Sequence, residues 1–240
     1  MEPKIKNSLS IVMPVFNEQD VIETVVRDFS TILDRFERPE FVIVNDKSTD
    51  KTRFVLKELE NKYRYLKVID NDRNRGHGPT LMNAYKNATG EYIFHCDSDN
   101  QFYAADFWIL WKEMERNNRD VVVGYRRDRK DPFARLVLTR LVKYLIFIMF
   151  GKMIVDSNSP FRLYRRSALN RLLLLLPDYP LIPSILLSIG AAKRKLNIGS
   201  VSVRHLPRVT NKSFLRSWKI FKLCAPAVKE VLGFRKALKS

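Results

Sequence analysis

The chain has 240 residues, 45% of them hydrophobic and 29% charged, with two cysteines and a net charge of +17. This composition excludes a disordered chain and allows a substantial core; two cysteines exclude a disulfide framework and fit a reducing, cytoplasmic setting. The charge is uneven: residues 1–100 carry 15 Lys and Arg against 17 Asp and Glu, whereas residues 101–240 carry 28 against 9. Such asymmetry points to a polyanionic partner, whether nucleic acid, an anionic membrane surface or a phosphorylated substrate. No signal peptide is expected, since MEPKIKNS runs straight into a strand-like segment.

Ser10–Val15 (SIVMPV) is a continuous apolar run, which predicts a strand buried on both faces. After the turn Phe16–Glu18, helical spacing runs over 19–36, through Val21, Ile22, Val25, Val26, Phe29, Ile32, Leu33 and Phe36. Phe41–Val44 predicts the second strand, ending in the polar turn NDKSTD (45–50), which suits a helix cap. A helix over 52–63 and a strand over 66–69 follow. The loop NDRNRGHGP (71–79) opens a helix to Ala88, then a strand over 91–96, a helix over 104–117 and a strand over 120–125. This alternation predicts an α/β chain with a Rossmann-like, mainly parallel sheet flanked by helices. Ligands bind such sheets at the carboxyl ends of the strands.

The polar clusters fall at those ends: Asn17 and Glu18, Asp46 and Asp50, Asp97 and Asp99, and Arg126. In EYIFHCDSDNQF (91–102) an apolar run stops at two carboxylates one residue apart. At a partly buried site their repulsion costs roughly 1 kcal/mol or more, which a hard divalent ion bridging to a phosphate would offset. The plainer alternative is a strand followed by an acidic turn. His77, His95 and His205 are not spaced as a metal triad and read as polar packing, and Cys96 as strand packing.

From Arg126 the texture changes. RRDRKDPFAR (126–135) is a basic loop, and LVLTRLVKYLIFIMF (136–150) is an apolar helix interrupted by Arg140 and Lys143. It is shorter than the ~20 residues a spanning helix needs, so an amphipathic helix in the membrane interface is expected over about 135–152. A core or dimer-interface helix is the alternative. LLLLL (172–176) extends the apolar surface, 198–203 predicts another strand, and a basic amphipathic tail with Phe214, Arg216, Trp218 and Lys219 occupies 213–240.

Together these motifs resemble family 2 glycosyltransferases of the GT-A fold, most closely the polyprenyl-phosphate (dolichol-phosphate mannosyltransferase-like) branch. SIVMPVFNE is similar to the family's opening strand and turn, and VNDKSTD to its V-[DN]-D-G-S-T-D segment. NRGHGPTLMNAYKNATGEYIF is similar to its N-x-G-x-G block, and CDSDNQF to its metal-binding D-x-D followed by x-Q. VVVGYR, DSNSPFRLYRR and HLPRVTNKS resemble the later segments, in order. A D-x-D alone is common by chance; seven pieces in sequence are not. Lys47 stands where the family pattern has Gly.

The resemblance implies a metal-dependent inverting glycosyltransferase that moves a hexose from a UDP- or GDP-linked donor to a polyprenyl phosphate, peripheral on the cytoplasmic face of the membrane. Residues 1–212 would form the catalytic domain. Asp99, with Gln101 assisting and Asp97 close by, would hold Mg²⁺ or Mn²⁺ against the donor diphosphate. Asp46 would hydrogen-bond the base; Pro14, Asn17, Glu18 and Ser98 would shape the nucleotide pocket, with Asp97 facing sugar and ribose. Arg208 and Lys212 would clamp the diphosphate. Arg126 and Arg135 would neutralise the acceptor phosphate, with Asp156 and Arg162 positioning that side. For a hydroxyl acceptor in glycan or lipopolysaccharide assembly, Asp156 becomes the candidate base. Asn17 and Asp50 could instead be helix caps. An inactive anion- or nucleic-acid-binding module is the remaining alternative; the intact D-x-D and the lack of a nucleic-acid motif count against it. The oligomeric state stays open, a homo-oligomer included.

Overall fold

Seven strands form one sheet: β1 (Ile5–Val15), β2 (Phe36–Asn45), β3 (Leu66–Asp70), β4 (Tyr92–His95), β5 (Val121–Arg126), β6 (Arg162–Arg165) and β7 (Ile198–Val203). Their order is β3-β2-β1-β4-β6-β5-β7. All pairings are parallel except those of β6, which runs antiparallel to both β4 and β5. The computed structural model describes residues 3–126, 147, 156–206, 226–235 and 238. Arg135, Arg208, Lys212, the interface helix expected over about 135–152 apart from Phe147, and the first part of the tail lie outside the described residues.

The helices cover both faces, which is why the central strands read as unbroken apolar runs. On one face Leu9, Ile11 and Met13 of β1 and Phe94 of β4 pack against α1 (Ile22–Leu33), α2 (Thr52–Lys62) and α4 (Phe107–Arg116). On the other, Val12, Val42, Val44 and Ile93 pack against α3 (His77–Asn87), α5 (Arg166–Leu173) and α6 (Pro183–Lys193). Alternate residues of β4 thus serve opposite cores, as the two-residue period of a strand requires.

Three expectations change. Phe36, in register with the first helix, instead opens β2 and packs its ring on Trp111 at 5.0 Å; the helix ends at Leu33 and the chain turns at Asp34 and Arg35. β6 has no apolar alternation, because Arg162 is only 1% exposed. Of the five leucines, Leu172 is buried and Leu174 is 87% exposed, the others packing against the core. The stretch 226–235 is helical, and its Val231 and Phe234 pack on Ile185, Leu186 and Ile189 of α6. The Glu230 carboxylate accepts the backbone N–H groups of Leu181 and Ile182 just ahead of α6, at 2.8 and 3.1 Å. The described part of the tail therefore docks on the main body. Among the described residues no helix is long and apolar enough to cross a membrane.

Strand ends carry the unusual backbone. Asn17 (φ 55°), Lys47 (φ 59°) and Asn100 (φ 57°) adopt left-handed conformations beyond β1, β2 and β4. Asparagine tolerates this region; a lysine there costs about 1 kcal/mol. Lys47→Gly is therefore expected to raise the melting temperature by roughly 2–4 °C, checked by thermal unfolding followed by circular dichroism.

Candidate active site

The loops after β1 and β2 are laced together. The Asn17 carboxamide oxygen accepts the Thr49 N–H at 2.8 Å, its nitrogen donates to Thr49 Oγ1 at 3.1 Å, and the Asn17 backbone N–H donates to Ser48 Oγ at 3.0 Å. Glu18 N–H donates to Thr52 Oγ1 at 2.8 Å. Asp50 accepts from Thr52 N and Gln19 N, tying the start of α2 to the loop after β1; the N-cap of α2 is Lys51, without a side-chain cap bond. Asn17 does not cap α1, whose N-cap is Val21 without a side-chain cap bond. Pro14 is buried in β1. Its missing N–H is tolerated because β4 pairing stops at Val12 and His95, two residues earlier.

Asp46 turns inward, 3% exposed. It accepts the Asn71 side chain and the Arg75 N–H on one oxygen, both at 2.8 Å, and the Gly76 N–H on the other at 2.9 Å. Its described partners lie in the loop 71–76, which Asp46 organises beside the end of β2. This loop delivers α3, whose second residue Gly78 lies so close to Pro180 that a Cβ would stand 1.7 Å from the Pro180 carbonyl oxygen.

At the end of β4, His95 and Cys96 are buried, Ser98 is 6% exposed and Asp97 and Asp99 are half-buried. Burial, helped by Asp97 and Asp99, pushes the Cys96 thiol well up, so it is an inert packing group. Burial also raises the Asp97 carboxyl, but His95 beside it and the charges of His77, His95 and Arg126 outweigh this and hold it below its ordinary value. For His95, burial outweighs the pull of Asp97 and keeps the ring below its usual pKa, hence neutral at pH 7. The Gln101 N–H donates to Asp99 Oδ1 at 3.3 Å. The segment after β7 lies beside this turn: the Gln101 side-chain nitrogen donates to Leu206 O at 3.0 Å, and Phe102 bridges to His205. Arg204 anchors that segment through two bonds to Asp106 Oδ1, at 3.0 and 2.6 Å.

Arg126 and Asp156, 30 residues apart, form a fork-on-fork pair at 2.8 and 2.9 Å, with side chains 10% and 7% exposed. A carboxylate engaged in this way is a poor general base, so Asp156 is moved from candidate base to partner of Arg126. Arg162 is also corrected: its guanidinium donates to Ser159 O at 2.6 Å, Ser188 Oγ at 2.7 Å and Ser157 O at 2.5 Å. Buried and occupied, it shapes the segment carrying Asp156.

A divalent ion of the Mg²⁺ or Mn²⁺ type fits the oxygen donors here. Asp97 Oδ1 is buried without a hydrogen-bond partner among the described residues, and Gln101, its nitrogen committed to Leu206, keeps its carbonyl oxygen as a donor atom. A cavity of about 490 Å³, lined by Arg38, Thr89, Glu91, Arg165 and Arg166 among others, opens at the amino end of β4. It lies at the opposite end from the carboxylates and lacks their donor set. The sequence reading missed the Arg126–Asp156 and Arg204–Asp106 pairs and the convergence of His77 and His95 on Asp97. The one available signal was a histidine closing an otherwise apolar strand.

Comparison with known proteins follows the same lines. The family model described as glycosyl transferase family 2 matches residues 10–173. Dodecaprenyl-phosphate galacturonate synthase of Rhizobium johnstonii is 28% identical over 216 residues, covering 86% of this chain and 61% of the relative. Undecaprenyl-phosphate 4-deoxy-4-formamido-L-arabinose transferase of Edwardsiella ictaluri is 28% identical, covering 90% and 65%. The chain thus spans less than two thirds of these relatives' lengths. Among solved structures, glucosyl-3-phosphoglycerate synthase from Mycobacterium tuberculosis in complex with UDP superposes with a TM-score of 0.74 at 17% identity, over 96% of this chain and 80% of that one. The same enzyme with Mn²⁺, UDP and glucosyl-3-phosphoglycerate gives 0.72 at 18% identity, again over 96% and 80%. The likeness shows the fold, which is GT-A.

Proposed function

Given that the chain belongs to glycosyl transferase family 2, we propose that it transfers a hexose from a UDP- or GDP-linked donor to a polyprenyl phosphate at the cytoplasmic surface of a membrane. The observation that carries this is that the Asp97–Asp99 turn after β4 and the Arg126–Asp156 pair at the end of β5 lie at the same edge of the sheet, near enough for the charge of Arg126 to act on Asp97. Both relatives compared above carry a polyprenyl phosphate in their names, and the strongly basic second half suits an anionic surface.

Asn17, Glu18 and the laced loops would border the nucleotide, with Pro14 fixing the end of β1 beneath it. Asp97, Asp99 and Gln101 would hold a divalent ion, which when bound neutralises charge on the departing diphosphate. Asp99 and Gln101 would face the diphosphate, Asp97 and Ser98 the sugar and ribose. Arg126 would hold the acceptor phosphate, kept in place by Asp156. Arg135 is proposed beside it, and Arg208 and Lys212 as the diphosphate clamp. The anomeric C–O bond to the diphosphate breaks as an acceptor phosphate oxygen forms its own bond from the opposite face, inverting the centre. That oxygen is already anionic, so no proton needs removal and no general base is required. The commitment of Asp156 to Arg126 agrees with this acceptor better than with a hydroxyl.

Incubation with radiolabelled UDP- or GDP-sugars and polyprenyl phosphate is expected to place label in an organic-extractable product, and EDTA is expected to abolish it. Label found only in water-soluble oligosaccharide would sink the lipid-phosphate acceptor while leaving sugar transfer in place.

A further inference from the structure

The histidines dismissed by spacing meet in space. One donor atom each from His77, His95 and Asp97 lies within 4.8 Å of the others, and His95 Nε2 is 3.6 Å from Asp97 Oδ1. His77 comes from the first residue of α3, His95 from the end of β4, and Asp97 lies two residues further on. His95 is 0% exposed, and neither ring nitrogen has a hydrogen-bond partner among the described residues. The Asp97 Oδ1 facing it also has none, nor do the hydroxyls of Tyr85 and Tyr164. Tyr85 packs edge-on to the His95 ring with centroids 5.7 Å apart and to the Tyr164 ring at 6.1 Å. Buried polar atoms are nearly always satisfied; here His95 Nε2 and Asp97 Oδ1 face each other at 3.6 Å, beyond hydrogen-bond distance and close to the spacing of two ligands on one ion.

We propose that His77, His95 and Asp97 form a site for a borderline divalent transition ion of the zinc or cobalt class. Two imidazoles and one carboxylate are the donors such ions select, whereas Mg²⁺ prefers oxygen alone. Tetrahedral donors at about 2.0–2.1 Å from an ion stand about 3.3 Å apart. The His95–Asp97 spacing is close to that already. His77 is exposed, so its side chain can make the remaining adjustment without disturbing the core. On the transfer reading above, an ion held here claims Asp97 and draws that carboxylate away from the donor side. The site itself does not depend on that reading.

Cobalt is a suitable probe, because its visible ligand-field absorption reports nitrogen-containing, low-coordinate sites. The metal-free full chain, titrated with Co²⁺ in the absence of donor and acceptor, is expected to take up one ion with a visible band, and Asp99→Asn is expected to do the same. His77→Ala, at an exposed position, is expected to weaken Co²⁺ binding about tenfold or more. His95→Gln is expected to weaken it likewise, its folding checked by near-UV circular dichroism. No band in the wild type, wild-type affinity in His77→Ala, or loss of the band in Asp99→Asn would each overturn the site. Because turnover is not measured, failure here leaves the transfer assay untouched.

Discussion

Asp99→Asn is expected to lower turnover by about 10²–10³-fold while leaving the melting temperature within about 2 °C of wild type. The side chain is half-buried at the end of β4, and among its interactions it accepts the Gln101 N–H at 3.3 Å. A neutral amide can keep that bond, so folding has little to lose. Transfer has much to lose: charge develops on the diphosphate as the C–O bond breaks, and a missing preorganised electrostatic partner at such a point costs about 3–4 kcal/mol. Single-turnover kinetics with the labelled donor separates this loss from donor binding. Turnover within tenfold of wild type would remove Asp99 from the metal and diphosphate contacts.

The second large effect concerns the Arg126–Asp156 pair. Breaking a buried, bidentate ion pair leaves its survivor charged and uncompensated, which costs about 3–5 kcal/mol. For a chain of this size that lowers the melting temperature by roughly 6–20 °C. Asp156→Ala and Arg126→Ala are both expected to show it. Removing both charges together, as Arg126→Leu with Asp156→Leu, is expected to restore most of the stability, because two apolar groups no longer need each other. Activity should stay lost in the double variant, since Arg126 is proposed to hold the acceptor phosphate. A double variant that regains both stability and turnover would make the pair purely structural.

How much of this was legible depended on how local the signal was. The runs of β1, β2, β4 and β5 were read correctly because a strand covered by helices on both sides must be apolar at every position. β6 was invisible for the converse reason. It spends one of its four residues on a buried arginine that serves the backbone carbonyls of Ser157 and Ser159 and the hydroxyl of Ser188. Phe36 was misassigned because helical spacing persisted for one more turn by chance, whereas the chain reverses at Asp34 and Arg35. Asp46 was recognised as a strand-end carboxylate, but its partners in the loop 71–76 lie about 30 residues away in the chain.

The sequence by itself determined the alternation of strands and helices, the end of the sheet where chemistry collects, and the residue types of the D-x-D turn. Each is written in patterns a few residues long, since burial sets hydrophobic period and turn chemistry locally. Only the tertiary structure decided which polar groups meet. It paired Arg126 with Asp156, withdrew Arg162 into the core, turned Asp46 onto its loop and brought His77 and His95 to Asp97. Those choices are made by the order of strands in the sheet, above all by β6 running antiparallel between β4 and β5, and no local periodicity encodes that order.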